Sequence, residues 1–152
     1  MRLLSAIRSS RLQKIMPEKK TLYYPDTNVC INFLRNKNIK LRNKFLEYPP
    51  DIIKISAIVA GELLTGAHKS LRKEDNIKQV TNFLSQFEII PFDWLASVAY
   101  GQIRSQLEAT GKIIGPNDTL IAASVLSRAG VIVTNNVREF SRVEGLFIED
   151  WT

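Results

Sequence analysis

The sequence predicts a single α/β domain with a central, mainly parallel β-sheet flanked by helices, and three observations carry that prediction. Short apolar runs alternate with longer stretches in which apolar residues recur every three or four positions. Glycine, proline and asparagine stand at the junctions between them. The 152 residues are enough for one hydrophobic core.

The predicted elements follow from these periodicities and from their boundary residues. The strands, all short and apolar, are expected at residues 22–24, 52–55, 88–90, 131–133 and 146–148. The helices, amphipathic or wholly apolar, are expected at residues 27–35, 40–47, 57–70, 72–87, 94–108 and 118–128. Ser56, Asp93 and Asn117 are the expected N-caps, and Gly130 is expected to close the last of these helices.

Residues 1–20 differ from the remainder, so we divide the chain into a basic N-terminal extension at 1–20 and a domain at 21–152. The extension carries six basic residues and one acid, Glu18. Three interpretations stay open: an over-extended start with Met16 as the initiator, a disordered or helical basic arm that contacts RNA, and a targeting peptide.

The composition narrows the chemistry that the chain can perform. It has one histidine, His68, which excludes a metal-free ribonuclease that uses two histidines, and a zinc site built mainly from His and Cys. The single Cys30 lies in an apolar run and is expected in the core of a cytoplasmic protein, since it has no disulfide partner. No apolar run reaches the roughly 20 residues that span a bilayer, so no membrane partner is expected. Hydrolytic chemistry would therefore rest on carboxylates.

Two carboxylates and one polar segment occupy positions that an α/β sheet brings together. Asp26 follows the first strand and Asp118 opens a helix, while a polar segment follows the strand at 131–133. Ligands collect beyond the carboxyl ends of parallel strands. Taken one at a time, these acids are better explained by structural roles than by catalysis: Asp26 as a helix cap, Asp118 as a complement to a helix dipole and Glu62 as a solvated side chain. Glu62 lies in a helix that is apolar nearly all round, so we expect that helix to be mostly buried.

Electrostatic repulsion among the carboxylates means that such a cluster requires a compensating positive charge. Two carboxylates about 4 Å apart repel by roughly 4 kcal/mol at an effective dielectric constant near 20. A divalent cation compensates this repulsion, and oxygen ligands favour Mg²⁺, with Mn²⁺ as an alternative. Such an ion also activates water and binds a phosphodiester.

The net charge of +6 favours an anionic partner and does not choose among a nucleic acid, an anionic membrane surface and an acidic protein. Two groups of basic residues are candidate RNA contacts, and ordinary solvated helix ends explain them equally well. They are Arg35, Lys37, Lys40, Arg42 and Lys44 in the first group, and Lys69, Arg72 and Lys73 in the second.

Four segments resemble, in order, the acidic motifs of the VapC-type PIN-domain ribonuclease toxins of type II toxin–antitoxin systems. They read YPDTN at 24–28, ELLTGA at 62–67, GPNDTLIAA at 115–123 and TNNVREF at 134–140. The ending GLFIEDW at 145–151 also resembles that family's terminus, so the resemblance covers residues 22–152. Each motif alone is weak, whereas four in order are specific.

The resemblance implies a PIN-like fold and Mg²⁺- or Mn²⁺-dependent endonucleolytic cleavage of RNA that leaves a 5′-phosphate and a 3′-hydroxyl. It implies that Asp26 and Asp118 are core metal ligands and that Glu62 binds the metal directly or through water. Glu139 would complete the cluster or orient the attacking water, with Thr27 and Asn136 as supporting residues. It further implies a homodimer and a VapB-like antitoxin that reaches the acidic cleft.

Two departures from the family pattern and two rival functions qualify this expectation. Asn136 stands where many PIN domains have Asp, which puts a second metal in doubt. Pro25 precedes Asp26 and removes a ladder donor, so we expect a distorted strand end. The rivals are a non-catalytic RNA-binding module, and another carboxylate-metal phosphoesterase or DNA nuclease.

Overall fold

The structure, a computed structural model, describes residues 19–152, and the predicted alternation of strands and helices is confirmed there. Its strands are β1 (Tyr23–Pro25), β2 (Lys54–Ser56), β3 (Glu88–Ile90), β4 (Val131–Val133) and β5 (Phe147–Glu149). Its helices are α1 (Thr27–Arg35), α2 (Ile39–Glu47), α3 (Ala57–His68), α4 (Lys73–Leu84), α5 (Trp94–Ala109), α6 (Pro116–Ser127) and α7 (Val137–Phe140). The predicted extension at 1–20 lies, apart from its last two residues, outside the described range.

All strand pairings in the described range are parallel, as the sequence predicts. One ladder has the order β1-β4-β5, and the second pairs β2 with β3. A single parallel bridge between Tyr23 and Ile53 joins the two ladders, which gives the spatial order β3-β2-β1-β4-β5. Because the strands are parallel, the residues that follow β1 and β4 emerge at the same edge.

The expected distortion at Pro25 is wrong. Pro25 pairs in register with Val133, and the ladder continues into Asp26, whose N–H donates to the Val133 carbonyl at 2.9 Å. The Leu22 carbonyl likewise accepts from the Val131 N–H. The even-numbered residues therefore bond to β4, and the missing N–H of Pro25 faces β2, where pairing is limited to the one bridge.

Several predicted boundaries shift for local reasons. Pro50–Ile52 forms a 3-10 turn, so the second strand begins at Lys54 rather than residue 52. α4 begins at Lys73 and ends at Leu84, inside the predicted 72–87. Asn117 is not a cap, because Pro116 occupies the first turn of α6 and Gly115 precedes it. Ser56 and Asp93 do cap their helices.

The predicted role of Gly130 also needs correction. The left-handed residue that ends α6 is Ala129, with φ of 50°. The N–H groups of Ala129 and Gly130 bond to the carbonyls of Leu126 and Val125, which is the Schellman arrangement. Gly130 is a glycine for a different reason, namely its close approach to the ring of Tyr24.

We expect Gly130→Ala to destabilise the fold by about 1–3 kcal/mol through overpacking. A Cβ at this position would stand 2.5 Å from Tyr24 Cε2 and 2.7 Å from Cδ2, and Tyr24 is only 1% exposed. Urea unfolding measures the loss. Gly101→Ala is the matched control, since its Cβ would meet nothing within 4 Å. Equal stability of the two variants would contradict this account.

The core lies on both faces of the sheet and holds Cys30, as predicted. α6 is buried on nearly every side through Ile121, Ala122, Ala123 and Val125, whereas α3 exposes Gly61, Thr65 and Gly66. The expectation that α3 is mostly buried holds for eight of its twelve residues, which are buried or half-buried, and His68 is exposed with the three residues just named. Among residues 19–152, no helix combines the length and apolar character needed to cross a membrane.

Candidate functional site

Asp26 stands at the carboxyl end of β1 and is held from two sides. Its Oδ1 accepts from the Val29 N–H at 2.9 Å, which caps α1, and its Oδ2 accepts from the Thr134 hydroxyl. The residue is 5% exposed. Asp26 is therefore a helix cap and also a fixed carboxylate at the edge of the sheet.

Thr134 is a residue whose contribution the sequence reasoning missed. It directly follows β4, is fully buried, and bonds to Asp26 while accepting from the Asn136 N–H at 2.9 Å. The signal that could have found it is a hydroxyl immediately after a buried strand. Thr134 thus connects the end of β1 to the turn that begins α7.

Glu62 projects from α3 toward the same place and is half-buried. The Thr27 hydroxyl donates to Glu62 Oε1 at 2.7 Å. The Asn117 amide lies 3.4 Å from Oε2, at the long end of hydrogen bonding. The residue predicted to cap α6 therefore contacts Glu62 instead, and Thr27 has the supporting position that the sequence predicts.

Asp118 and Glu139 complete the group. Asp118 is half-buried in the first turn of α6, and Glu139 is half-buried on α7. The Asn136 amide donates to Glu139 Oε2 at 3.1 Å, as expected for residues three apart on one helical turn. The charges of Asp26, Glu62 and Glu139 all act on Asp118, so the four predicted carboxylates lie near one another. Thr27 and Asn136 are bonded to two of them. We call Asp26, Glu62, Asp118 and Glu139 the carboxylate cluster.

The cluster is electrostatically strained. Burial raises the pKa of Asp118 to about 6, and the negative charges of Asp26, Glu139 and Glu62 add to the effect. Burial also raises the pKa of Asp26, although the hydrogen bonds from Thr134 and Val29 oppose the shift. None of the ion pairs within residues 19–152 includes a member of the cluster. The repulsion among these carboxylates is therefore not offset by a direct ion pair with any Lys, Arg or His of that range.

The oxygen ligands of the carboxylate cluster fit a hard divalent cation such as Mg²⁺ better than a softer metal ion such as Zn²⁺. The cluster's ligand atoms are carboxylate oxygens, with hydroxyl and amide groups beside them, and Cys30 is fully buried. Within the described residues, no three Asp, Glu, His or Cys side chains form a preformed metal cage. Mg²⁺ suits such an open arrangement, because it is usually held by one or two carboxylates and keeps several waters.

The basic groups are only partly available for an anionic ligand. Lys40 donates to the Thr152 carbonyl, Arg42 to Asn36, and Lys44 lies over the Tyr48 ring. Arg35 is exposed and borders a groove that also contains Glu62. The second group, at residues 69, 72 and 73, is exposed at the end of α3 and the start of α4.

Comparison with known proteins identifies one family, and the similarity extends over most of the chain. The PIN domain profile matches residues 23–146. The tRNA(fMet)-specific endonuclease VapC of Salmonella typhimurium is 43% identical over 126 residues, covering 83% of this chain and 95% of that protein. Ribonuclease VapC2 of Rickettsia felis is 39% identical over 131 residues, covering 86% and 98%.

A solved structure extends the likeness to three dimensions. The crystal structure of DNA-bound VapBC from Salmonella typhimurium contains a chain with a TM-score of 0.83 and 41% identity. The superposition covers 88% of this chain and all of that chain. Sequence and fold therefore agree on one group of relatives.

Proposed function

Because this chain belongs to the VapC family of PIN-domain proteins, we propose that it is a Mg²⁺- or Mn²⁺-dependent endoribonuclease, the toxin of a type II toxin–antitoxin pair. The relatives' names as endonucleases and ribonucleases support the RNA substrate. The observation that carries the metal dependence is the carboxylate cluster, none of whose members has an ion-pair partner among residues 19–152, while the pKa values of Asp118 and Asp26 are raised.

The residues of the cluster have distinct roles in this proposal. Asp26 and Asp118 would hold the cation, and Glu62 would bind it directly or through water. The cation, when bound, activates water and stabilises the negative charge that develops on the phosphodiester. Glu139 accepts a hydrogen bond from the attacking water and orients it, and Asn136 fixes the Glu139 carboxylate through their 3.1 Å contact.

The neighbouring hydroxyls and amides act by restricting the carboxylates. Thr134 holds Oδ2 of Asp26, and Thr27 holds Oε1 of Glu62. Each bond removes rotational freedom before substrate arrives, so less ordering remains for the transition state. Thr134 and Thr27 are therefore positioning residues.

We further propose a VapB-like antitoxin as partner. The neighbouring Salmonella structure is a VapBC complex bound to DNA. A site short of positive charge is complementary to basic side chains, so an antitoxin that inserts them would neutralise the cluster and exclude the metal. A homodimer is expected as well.

A direct test incubates the purified protein with labelled RNA, single-stranded DNA and p-nitrophenyl phosphate, each with Mn²⁺ and with a chelator. We expect the protein to cleave RNA and neither of the other two substrates. We expect this cleavage only when Mn²⁺ is present. Glu62→Gln should slow it at least about tenfold, because a weakened ligand loses charge stabilisation. The control Glu74→Gln, at an exposed acid on α4, should cleave as wild type.

Each other result favours a rival function. RNA binding without cleavage in Mn²⁺ would indicate a binding module. Equal hydrolysis of DNA or of the small phosphoester would indicate another carboxylate-metal enzyme. Cleavage that persists in chelator would contradict the metal-dependent mechanism.

A further inference from the structure

A groove between α1, α3 and α4 opens beside the carboxylate cluster and is not used by the chemistry above. Its volume is about 330 Å³, and Glu62 forms part of its wall. Glu62 is therefore shared by the groove and the carboxylate cluster. A volume at the low end of the ~300–1,000 Å³ of small-molecule sites suits one nucleotide.

The lining of the groove has three chemically different parts. Ile31, Leu34, Leu63 and Val80 form apolar walls, and the Gln79 amide is exposed among them. Arg35 is exposed at the groove, and none of the ion pairs within residues 19–152 includes it. These parts match those of a nucleotide, since the base packs on apolar surface, its edge bonds to an amide, and its phosphate pairs with a guanidinium.

Gly66 lines the groove and leaves it open on the side of α3, although glycine lowers the stability of a helix that contains it. Glycine is among the poorest helix formers, yet Gly66 lies inside α3. A Cβ there would meet nothing within 4 Å, and the backbone has no positive φ that requires glycine. Gly66 therefore leaves space beside α3 at the groove, and a larger side chain at this position would fill that space.

We propose that this groove binds the base of a nucleotide next to the scissile phosphate and so sets the sequence preference of cleavage. The proposal rests on the endoribonuclease function for its link to cleavage. A polypeptide is the other occupant that an apolar groove could take. The shared Glu62, the exposed Gln79 amide and the single-nucleotide volume favour the base.

The first test measures nucleotide binding without catalysis. ¹⁵N-labelled wild type is titrated with each ribonucleoside 5′-monophosphate in chelator, with ribose 5-phosphate as the base-free probe. We expect at least one nucleotide to shift the Gln79 side-chain resonances more than ribose 5-phosphate does. Gly66→Leu should lose this response, whereas Gly101→Leu, an equally open glycine on α5, should keep it.

The second test measures the preference itself. A randomised RNA pool is cut in Mn²⁺ and the ends are sequenced. We expect a base preference at one position beside the cut, reduced about tenfold in Gly66→Leu and unchanged in Gly101→Leu. Gln79→Leu should alter which base is preferred.

The two tests separate failure of the groove from failure of the function. If wild type cuts nothing, the ribonuclease proposal fails, and the nucleotide titration still decides whether the groove takes a base. No response to any nucleotide, or an equal response to ribose 5-phosphate, overturns the base site. A Gly66→Leu cleavage profile identical to wild type also overturns it and leaves the groove to a polypeptide.

Discussion

Asp118→Asn is expected to lower RNA cleavage at least about a thousandfold while the protein stays folded. An amide is neutral and a poor ligand, so the variant loses several kcal/mol of transition-state charge stabilisation, and each 1.36 kcal/mol is about tenfold in rate. Single-turnover cleavage of labelled RNA in Mn²⁺ measures the effect. A rate within about tenfold of wild type would remove Asp118 from the proposed ligands.

The same variant should keep or raise its stability in metal-free buffer, which separates a chemical role from a structural one. The pKa of Asp118 is raised from 3.8 to about 6. A raised pKa means that its stability contribution is complete below pH 3.8 and is lost as the pH rises through about 6. Wild type should therefore lose stability over that range relative to Asp118→Asn, as thermal melts at stepped pH would measure.

Asp26→Ala is expected to remove activity and also to destabilise the fold by about 2 kcal/mol or more. It deletes the cap of α1 and the acceptor for the buried Thr134 hydroxyl. For a chain of this size the melting temperature should fall by at least about 4 °C. Activity and melting temperature are measured on one preparation.

Asp26→Asn is the matched variant that separates these two effects. Its carbonyl oxygen can still accept from the Val29 N–H, and asparagine caps helices well. We expect near wild-type stability with cleavage abolished. If both variants melt alike, Asp26 does not stabilise the fold through these bonds.

The fold was predictable where one pattern dominates. The β-branched run at 131–133 and the apolar periodicity at 27–35 fix a strand and a helix without tertiary information, and both match the structure. The ends of α6 were not predictable in the same way. A proline in the first turn displaced the expected cap at Asn117, and Tyr24, distant in sequence, explains Gly130.

The candidate site was also predictable only in part. Asp26 follows from a strand end and Asp118 from a helix start, Glu62 stands out as an acid within an apolar helical segment, and Glu139 follows from the motif resemblance. Contacts that depend on side-chain direction did not follow: the Thr134–Asp26 bond joins residues 108 apart, and the Asn117–Glu62 contact joins residues 55 apart. The groove beside Glu62 depends on three helices packing together and has no signature in any one of them.

The central claim is that the carboxylate cluster binds a divalent cation, and the most direct measurement is a Mn²⁺ titration followed by electron paramagnetic resonance without RNA. We predict that wild type removes at least one equivalent of the free Mn²⁺ signal. Asp26→Asn and Asp118→Asn should bind at least about tenfold more weakly, and Glu74→Gln should bind as wild type. Equal Mn²⁺ affinity in all four proteins, or no binding by wild type, would contradict the account.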